Sequence, residues 1–179
     1  KMATDRGVDY TRTYNAKTHR YERNRDLPRP GFAAGPCLFK DTMQLAAFNQ
    51  NQFFLGHSAM LINEGLPQFV LAHIKNKLCD NDLQTKTIGI LGMAFKAESD
   101  DSRDSLSYKI RKLARMEAKR VLSHDYYLKD ASFSSLDTVL RESDILIVGA
   151  PHERYAFISV DKLRGKIVVD VWNHLPHAT

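Results

Sequence analysis

Apolar residues follow two different spacings along the chain, one in each half. From Asp41 to Leu78 they recur at steps of three and four residues, the period of an amphipathic helix. Gly65 and Pro67 interrupt this pattern, and proline removes a backbone donor, so we expect a bend or break there. A helix that is apolar on several faces usually packs against a partner helix. The pattern therefore predicts a long helical segment that can form a subunit interface.

The chain before this helix is richer in turn residues. Residues 1–18 predict a short helix and a turn, with a break indicated by Gly7 and Asp9. Residues 19–36 predict a loop, because proline and glycine recur in them. These residues are Pro28, Pro30, Gly31, Gly35 and Pro36. We take residues 1–80 as one helical domain made of this stretch and the long helix.

Short β-branched runs mark the second half of the chain. They predict four strands, at residues 87–91, 120–124, 144–148 and 166–170. Helical patterns lie between them, and Asp104 and Ser105 are available as caps for the clearest one. Unbroken apolar strands that alternate with helices predict a parallel sheet covered on both faces. The fold class is therefore α/β, with a Rossmann-like domain over residues 81–179.

Composition is that of a soluble globular protein, with 43% hydrophobic and 26% charged residues. No apolar run approaches the roughly 20 residues that a membrane helix needs. The first residues contain no apolar stretch typical of a secretory signal, so we expect a cytoplasmic protein without a membrane partner. Two cysteines are too few for a disulfide framework. The histidines are scattered, and even His174 and His177 are not expected to bind a metal.

The formal net charge is +5, and arginines concentrate near the start of the chain. Nucleic acid is one partner for such a stretch, since Lys and Arg contacts to phosphate supply most non-specific binding. That hypothesis predicts a steep salt dependence, but no aromatic platform or recognition motif accompanies the arginines. A small phosphorylated ligand fits the same charge equally well, and we do not expect a nucleic-acid partner.

The turn Ile90–Lys96, after the first predicted strand, resembles a dinucleotide-binding turn only loosely. Its glycines are spaced Gly89-x-x-Gly92, and bulky residues occupy the positions where close backbone approach to a pyrophosphate is needed. Asp125 lies too far along the chain to be the ribose-binding acid. We therefore do not expect NAD in this crevice, although Lys96 and Arg103 could face the phosphates of another nucleotide.

Cys37 follows a loop rich in glycine and proline and immediately precedes the predicted helix. The partial positive charge of a helix amino terminus favours the nucleophilic thiolate form. Asp41 lies one turn further along the same face, and a thiolate beside a carboxylate suits acyl-enzyme chemistry. The alternative is a small buried cysteine with an aspartate that only complements the helix dipole. Cys79, at a predicted helix end, is interpreted as structural.

Two motifs resemble those of the UDP-glucose/GDP-mannose dehydrogenase family. The stretch Gly31-Phe-x-x-Gly-x-Cys-Leu-x-Lys-Asp-Thr42 resembles that family's catalytic-cysteine motif. The stretch Leu91-Gly-Met-Ala-Phe-Lys-Ala-Glu-Ser-Asp-Asp-Ser-Arg-Asp-Ser105 resembles a second family signature. Their order and separation extend the resemblance over essentially the whole chain, as a central helical dimerisation domain followed by a nucleotide-sugar-binding domain.

The resemblance implies a four-electron oxidation of the primary alcohol of a UDP- or GDP-linked hexose to a uronate, with two NAD+. It implies that Cys37 forms a thiohemiacetal and then a thioester, and that Asp41 assists the water that releases the product. Lys40 and Arg103 would contact NAD. The residues implied in substrate binding are Arg20, Pro28, Gly31, Phe32, Phe95 and Lys96. A homodimer built through the helix after Asp41 is also implied.

The chain departs from the family pattern in several places. The cysteine loop is one residue longer than usual and has Pro36 in place of serine, Phe39 replaces a proline, and Trp172 stands where the family often has a substrate-contacting arginine. The amino-terminal NAD domain is not in this sequence, so we do not expect turnover by this chain alone. The alternative hypothesis is a non-catalytic module for nucleotide-sugar binding and dimerisation.

Overall fold

The computed structural model of the protein describes residues 1–78 and 82–175, so Cys79 and His177 lie outside the described residues. The chain divides into two compact units, Lys1–Gly31 and Phe32–Thr179. The smaller unit contains helices α1 (Met2–Asp5) and α2 (Tyr10–Thr18) and a 3₁₀ turn, Glu22–Asn24. Asp9 caps α2 by accepting a hydrogen bond from the Arg12 amide at 3.1 Å, which places a break where the sequence predicted one.

Three helices occupy the stretch where the sequence predicted one bent helix. They are α3 (Leu38–Phe48), α4 (Phe54–Glu64) and α5 (Leu66–Lys75). The break near Gly65 is confirmed, and Pro67 lies at the start of α5. The break between α3 and α4 was not predicted, and the expectation of an unbroken helix there was wrong. Gln50 and Asn51 adopt left-handed backbone angles, with φ of 50° and 60°, which end a helix although neither residue is glycine.

The larger unit contains a four-stranded parallel sheet. Its strands are β1 (Thr87–Leu91), β2 (Arg120–His124), β3 (Ile145–Val148) and β4 (Ile167–Asp170), in the order β2-β1-β3-β4. Helices α6 (Leu106–Glu117) and α7 (Leu136–Glu142) connect them, together with 3₁₀ turns at Glu153–Phe157 and Val160–Lys162. All three strand pairs are parallel, which confirms the predicted α/β class and the four predicted strands.

Alternating strand residues pack into two separate cores, because successive side chains of a strand point to opposite faces. Ile145 and Ile147 belong to a core that includes residues of α5 and α6. Leu146 and Val148 belong to a second core with residues of α7. The sheet is therefore covered on both faces, as the unbroken apolar strands predicted. No helix among the described residues is long and apolar enough to cross a membrane.

The strand order places a switch point at the carboxyl ends of β1 and β3. The chain leaves β1 toward β2 and returns to β3 on the other side of β1, and open α/β sheets bind ligands at such points. Gly92 follows β1 there with a φ of +89°, and a β-carbon on it would lie 2.5 Å from the backbone nitrogen of Ala150. The turn after β1 is thus held against the residues that follow β3.

This contact predicts a large stability loss for Gly92→Ala. The left-handed backbone should cost about 1–2 kcal/mol, and the clash with Ala150 should raise the total to about 3 kcal/mol. Gly165→Ala is the matched control, because Gly165 has a φ of +78° but nothing near its β-carbon position. Urea denaturation of both variants measures the difference, and equal losses would show that the Ala150 backbone moves away at little cost.

Candidate functional site

Cys37 lies at the amino terminus of α3, as its cap residue, and it is exposed. The Asp41 amide donates a hydrogen bond to the Cys37 carbonyl at 2.8 Å, so the two residues are one helical turn apart. The Lys40 ammonium lies 3.6 Å from the Asp41 carboxylate, and both side chains are about two-thirds exposed. A thiol, a carboxylate and a cation therefore lie within the first turn of the helix, open to solvent.

The loop before Cys37 is anchored in the larger unit. Phe32 is 7% exposed and lies in the core, with its ring 6.1 Å from the Trp172 ring in an edge-on arrangement. Asn63 of α4 makes two hydrogen bonds to the backbone of Ala33. The loop is thus fixed at its start, before it reaches the exposed cysteine.

The cysteine loop packs against the turn that carries Phe95 and Lys96. Gly35 has a φ of +115°, and a β-carbon on it would lie 2.9 Å from the Phe95 ring, so only glycine fits there. The Lys96 ammonium lies 5.4 Å from the centre of the same ring. The two motifs, about 60 residues apart in the sequence, are brought into contact within the larger unit.

Arg103 belongs to the same neighbourhood. Its guanidinium binds the Asp101 carboxylate in a two-pronged arrangement, with the shortest distance 2.7 Å. The hydrogen bond to Asp101 is the main reason why the pKa of Arg103 is raised, and the Cys37 sulfur adds a smaller electrostatic contribution. The same pair lowers the pKa of Asp101, with a lesser effect from Lys96. Asp101 therefore interacts mainly with Arg103 and more weakly with Lys96.

A buried carboxylate, Asp125, organises the strand ends beneath this turn. Its oxygens accept hydrogen bonds from the amides of Met93, Ala94, Tyr127 and Leu128 at 2.6–3.0 Å. Burial alone would raise the pKa of Asp125, but hydrogen bonds from His152 and from these amides outweigh it, and the pKa is lowered. Sequence reasoning considered this residue only as a ribose-binding acid and missed its role in the turn.

His152 is fully buried beside Asp125. Its Nδ1 accepts a hydrogen bond from the Glu98 amide at 3.0 Å, and its Nε2 lies 3.1 Å from the Asp125 carboxylate. An imidazole that accepts at Nδ1 has its proton on Nε2, so His152 donates to Asp125. Residues following β1, β2 and β3 thus meet in one hydrogen-bonded cluster. The signal that could have found it is an acid placed directly after an apolar strand.

Trp172 is occupied by structural contacts. Its indole N–H donates to the Gly149 carbonyl at 3.1 Å, and its ring packs against both cores of the sheet. Trp172, which stands where the family often has an arginine, is thus partly buried against the sheet.

The remaining predicted substrate residues lie in the smaller unit. Arg20 is exposed, with a left-handed φ of 54°, directly after α2. The loop that contains Pro28 and Gly31 is held by the Tyr14 hydroxyl, which donates to the Leu27 carbonyl at 2.8 Å, and by Arg29, which lies 5.1 Å from the Tyr14 ring. Among the residues that the structure describes, no group of three or more His, Cys, Asp or Glu side chains could hold a metal ion.

The parallel sheet and its switch point between β1 and β3 define a Rossmann-like α/β class. Residues 89–177 match the UDP binding domain of the UDP-glucose/GDP-mannose dehydrogenase family. This match confirms, over the carboxyl-terminal half of the chain, the resemblance to this nucleotide-sugar dehydrogenase family that the two motifs indicated.

Individual relatives support the same family. The chain is 28% identical over 148 residues to a UDP-N-acetyl-D-mannosamine dehydrogenase of Pyrococcus horikoshii, covering 79% of this chain and 35% of the relative. It is 29% identical over 186 residues to a GDP-mannose 6-dehydrogenase of Pseudomonas aeruginosa, covering 90% and 41%. A solved structure of the UDP-D-ManNAc dehydrogenase of Pyrococcus horikoshii superimposes with a TM-score of 0.81 at 26% identity, covering 98% of this chain and 43% of that one. The chain thus spans about two-fifths of the length of its relatives.

The Asp125 cluster predicts a pH-dependent stability. A carboxyl whose folded pKa is depressed contributes stability that is complete above its unfolded pKa, roughly 3.9, and is lost as the pH falls through the folded value. Asp125→Asn should lower the free energy of unfolding at pH 7 by about 3 kcal/mol, and this difference should shrink below about pH 4.

Urea denaturation between pH 3 and pH 7 measures this difference. The matched control is Asp137→Asn, which removes an exposed carboxylate paired with Lys162 and should change stability little. A loss at Asp125 that stays constant across this pH range would contradict the proposed charge stabilisation.

Proposed function

We propose that this chain is the carboxyl-terminal part of an NAD-dependent nucleotide-sugar 6-dehydrogenase that oxidises the sugar primary alcohol to a uronate. The observation that supports this most directly is the contact between the cysteine loop and the Phe95–Lys96 turn, at Gly35. It brings the loop that leads to the exposed Cys37 thiol against the turn that carries Lys96, in a domain that matches a UDP-binding family model. The relatives named for UDP-N-acetyl-D-mannosamine and GDP-mannose support a nucleotide-sugar substrate.

In this proposal the substrate is held mainly by the larger unit. Lys96 and the exposed face of Phe95 bind the diphosphate and the sugar. Phe32, whose side chain lies in the core, supports the cysteine loop. Arg20, Pro28 and Gly31 remain substrate residues that the family resemblance implies. Lysine suits this role because its ammonium is a compact cation that binds phosphate oxygens.

The proposed chemistry at the exposed Cys37 is the one that the family resemblance implies. The sulfur attacks the aldehyde carbon of the half-oxidised sugar, and a C–S bond forms to give a thiohemiacetal. Loss of hydride from that carbon gives a thioester. Water then attacks the thioester, the C–S bond breaks, and the sulfur and a carboxylate are released. Asp41, one turn away, accepts the proton of that water.

NAD+ supplies the hydride acceptor for both oxidations when it is bound. Of the described residues, we propose only the exposed Lys40 and Arg103 as contacts to NAD+. The turn after β1 departs from the dinucleotide-binding pattern, because Met93, Phe95 and Lys96 are bulky where close backbone approach to a pyrophosphate is needed. We propose that the main NAD site lies in a part of the protein outside this chain.

A homodimer is part of the proposal. Eight large apolar side chains of α3 and α4 are exposed, namely Leu38, Phe39, Leu45, Phe48, Phe54, Leu55, Leu61 and Ile62. Contiguous exposed apolar surface of this kind marks interaction sites in soluble proteins. A second copy of the chain, packed through these helices in the cytoplasm, would cover it.

Binding is tested on this chain with UDP-glucose, UDP-N-acetylmannosamine and GDP-mannose. A ligand at a hundredfold excess over its Kd stabilises the native state by about 2.7 kcal/mol, so the melting temperature should rise by several degrees for the correct nucleotide sugar. Lys96→Ala should abolish the shift.

Lys112→Ala is the control, because it removes the same charge from an exposed position on α6 and should keep the shift. If none of the three compounds raises the melting temperature of the unmodified chain, the assignment of the Phe95–Lys96 turn is wrong.

The catalytic role is tested with Cys37→Ser in the full-length enzyme. Without the thiolate the thioester cannot form, so NAD+ reduction measured at 340 nm should fall by at least about a hundredfold. Asp41→Asn should instead slow release of the thioester, which appears as a burst of reduction followed by slow turnover. Cys79→Ser is the matched control and should keep activity. Undiminished turnover in Cys37→Ser would exclude the thioester route and favour a non-catalytic binding module.

A further inference from the structure

One polar side chain of α4 holds the loop that ends at Cys37. Asn63 is the next-to-last residue of α4. Its Oδ1 accepts a hydrogen bond from the Ala33 amide at 3.0 Å, and its Nδ2 donates to the Ala33 carbonyl at 2.5 Å. Both backbone groups of one loop residue are therefore satisfied by a single carboxamide.

The position of Asn63 is unusual for its residue type. The side chain is 9% exposed and follows the apolar run Met60-Leu-Ile62. Burying a carboxamide is unfavourable unless its polar atoms are hydrogen-bonded. Packing alone would favour an apolar residue here, so the two bonds to Ala33 are the physical reason for an asparagine.

The other anchors of the loop differ from this one. Phe32 is held by apolar packing in the core, and Gly35 by its close approach to the Phe95 ring. Such packing contacts hold the loop against the core, but they do not set the orientation of its backbone groups. Among the hydrogen bonds of the described residues, those from Asn63 are the side-chain bonds that set the orientation of the loop backbone four residues before Cys37.

We propose that Asn63 is a positioning residue for Cys37. Its carboxamide fixes the course of the loop from Phe32 to Cys37, so that the sulfur stays at the start of α3, one helical turn before Asp41. The proposal rests on the proposed function only in that the sulfur held there is the nucleophile. It concerns a residue that neither motif contains.

The experiment measures how fast iodoacetamide alkylates Cys37 in this chain at pH 7, followed peptide by peptide with mass spectrometry. Asn63→Leu removes both hydrogen bonds at similar volume, and Asn63→Asp keeps the acceptor but loses the donor. Without these bonds the loop no longer holds the sulfur at the exposed start of α3, so the sulfur is presented to the reagent for less of the time. We expect alkylation of Cys37 to slow by about threefold or more in both variants.

Met60→Ala is the matched control. Met60 is buried in the same helix, one turn before Asn63, so its truncation lowers the melting temperature without touching the loop bonds. The rate at Cys37 should then stay within experimental error of the unmodified chain. Free N-acetylcysteine added to the same samples reports any general change in alkylation.

The alkylation rates of the Asn63 variants either support or overturn the positioning role of Asn63. If the Asn63 variants lose melting temperature but keep the rate at Cys37, or alkylate faster, Asn63 has only a structural role and the proposal is overturned. This result is independent of turnover. Activity in Cys37→Ser would overturn the proposed function whatever the alkylation rates are, and slowed alkylation would still stand as a property of the loop.

Discussion

The buried charge of Asp125 is the constraint on which the site depends. A carboxylate with no exposed side-chain surface is stable only when hydrogen bonds replace its water, and here four backbone amides and one imidazole do so. These donors come from segments that follow three different strands. The charge therefore fixes the segments relative to one another, and the turn with Phe95 and Lys96 takes its position from this arrangement.

The arrangement around Asp125 also positions the proposed nucleophile, Cys37, through packing contacts and not through its charge. Gly35 packs against the Phe95 ring of this turn. The cysteine loop continues from Gly35 to Cys37, at the start of α3. The cysteine itself needs no buried environment, and its exposure is what leaves it accessible to a sugar. Rigid support beneath an open sulfur is the arrangement expected of a preorganised nucleophile.

Most of the fold could be predicted, because the strands and helices follow from local patterns. The four strands are continuous apolar runs, and the break near Gly65 is marked by its proline. The break after Phe48 was missed, since left-handed Gln50 and Asn51 have no strong sequence signal. For the candidate site, the motifs indicated Cys37, Phe95 and Lys96. Asp125, His152 and Asn63 were missed because their roles depend on partners 27 to 54 residues away in the sequence.

The placement of Trp172 has a consequence for how substrate preference can change in evolution. Its ring contributes to the cores on both faces of the sheet and touches Phe32 at the start of the cysteine loop. A substitution there alters folding stability and loop position together, so selection cannot adjust ligand choice at this residue alone. Divergence of specificity in this lineage is therefore expected at exposed loop positions, where a new side chain carries no such penalty.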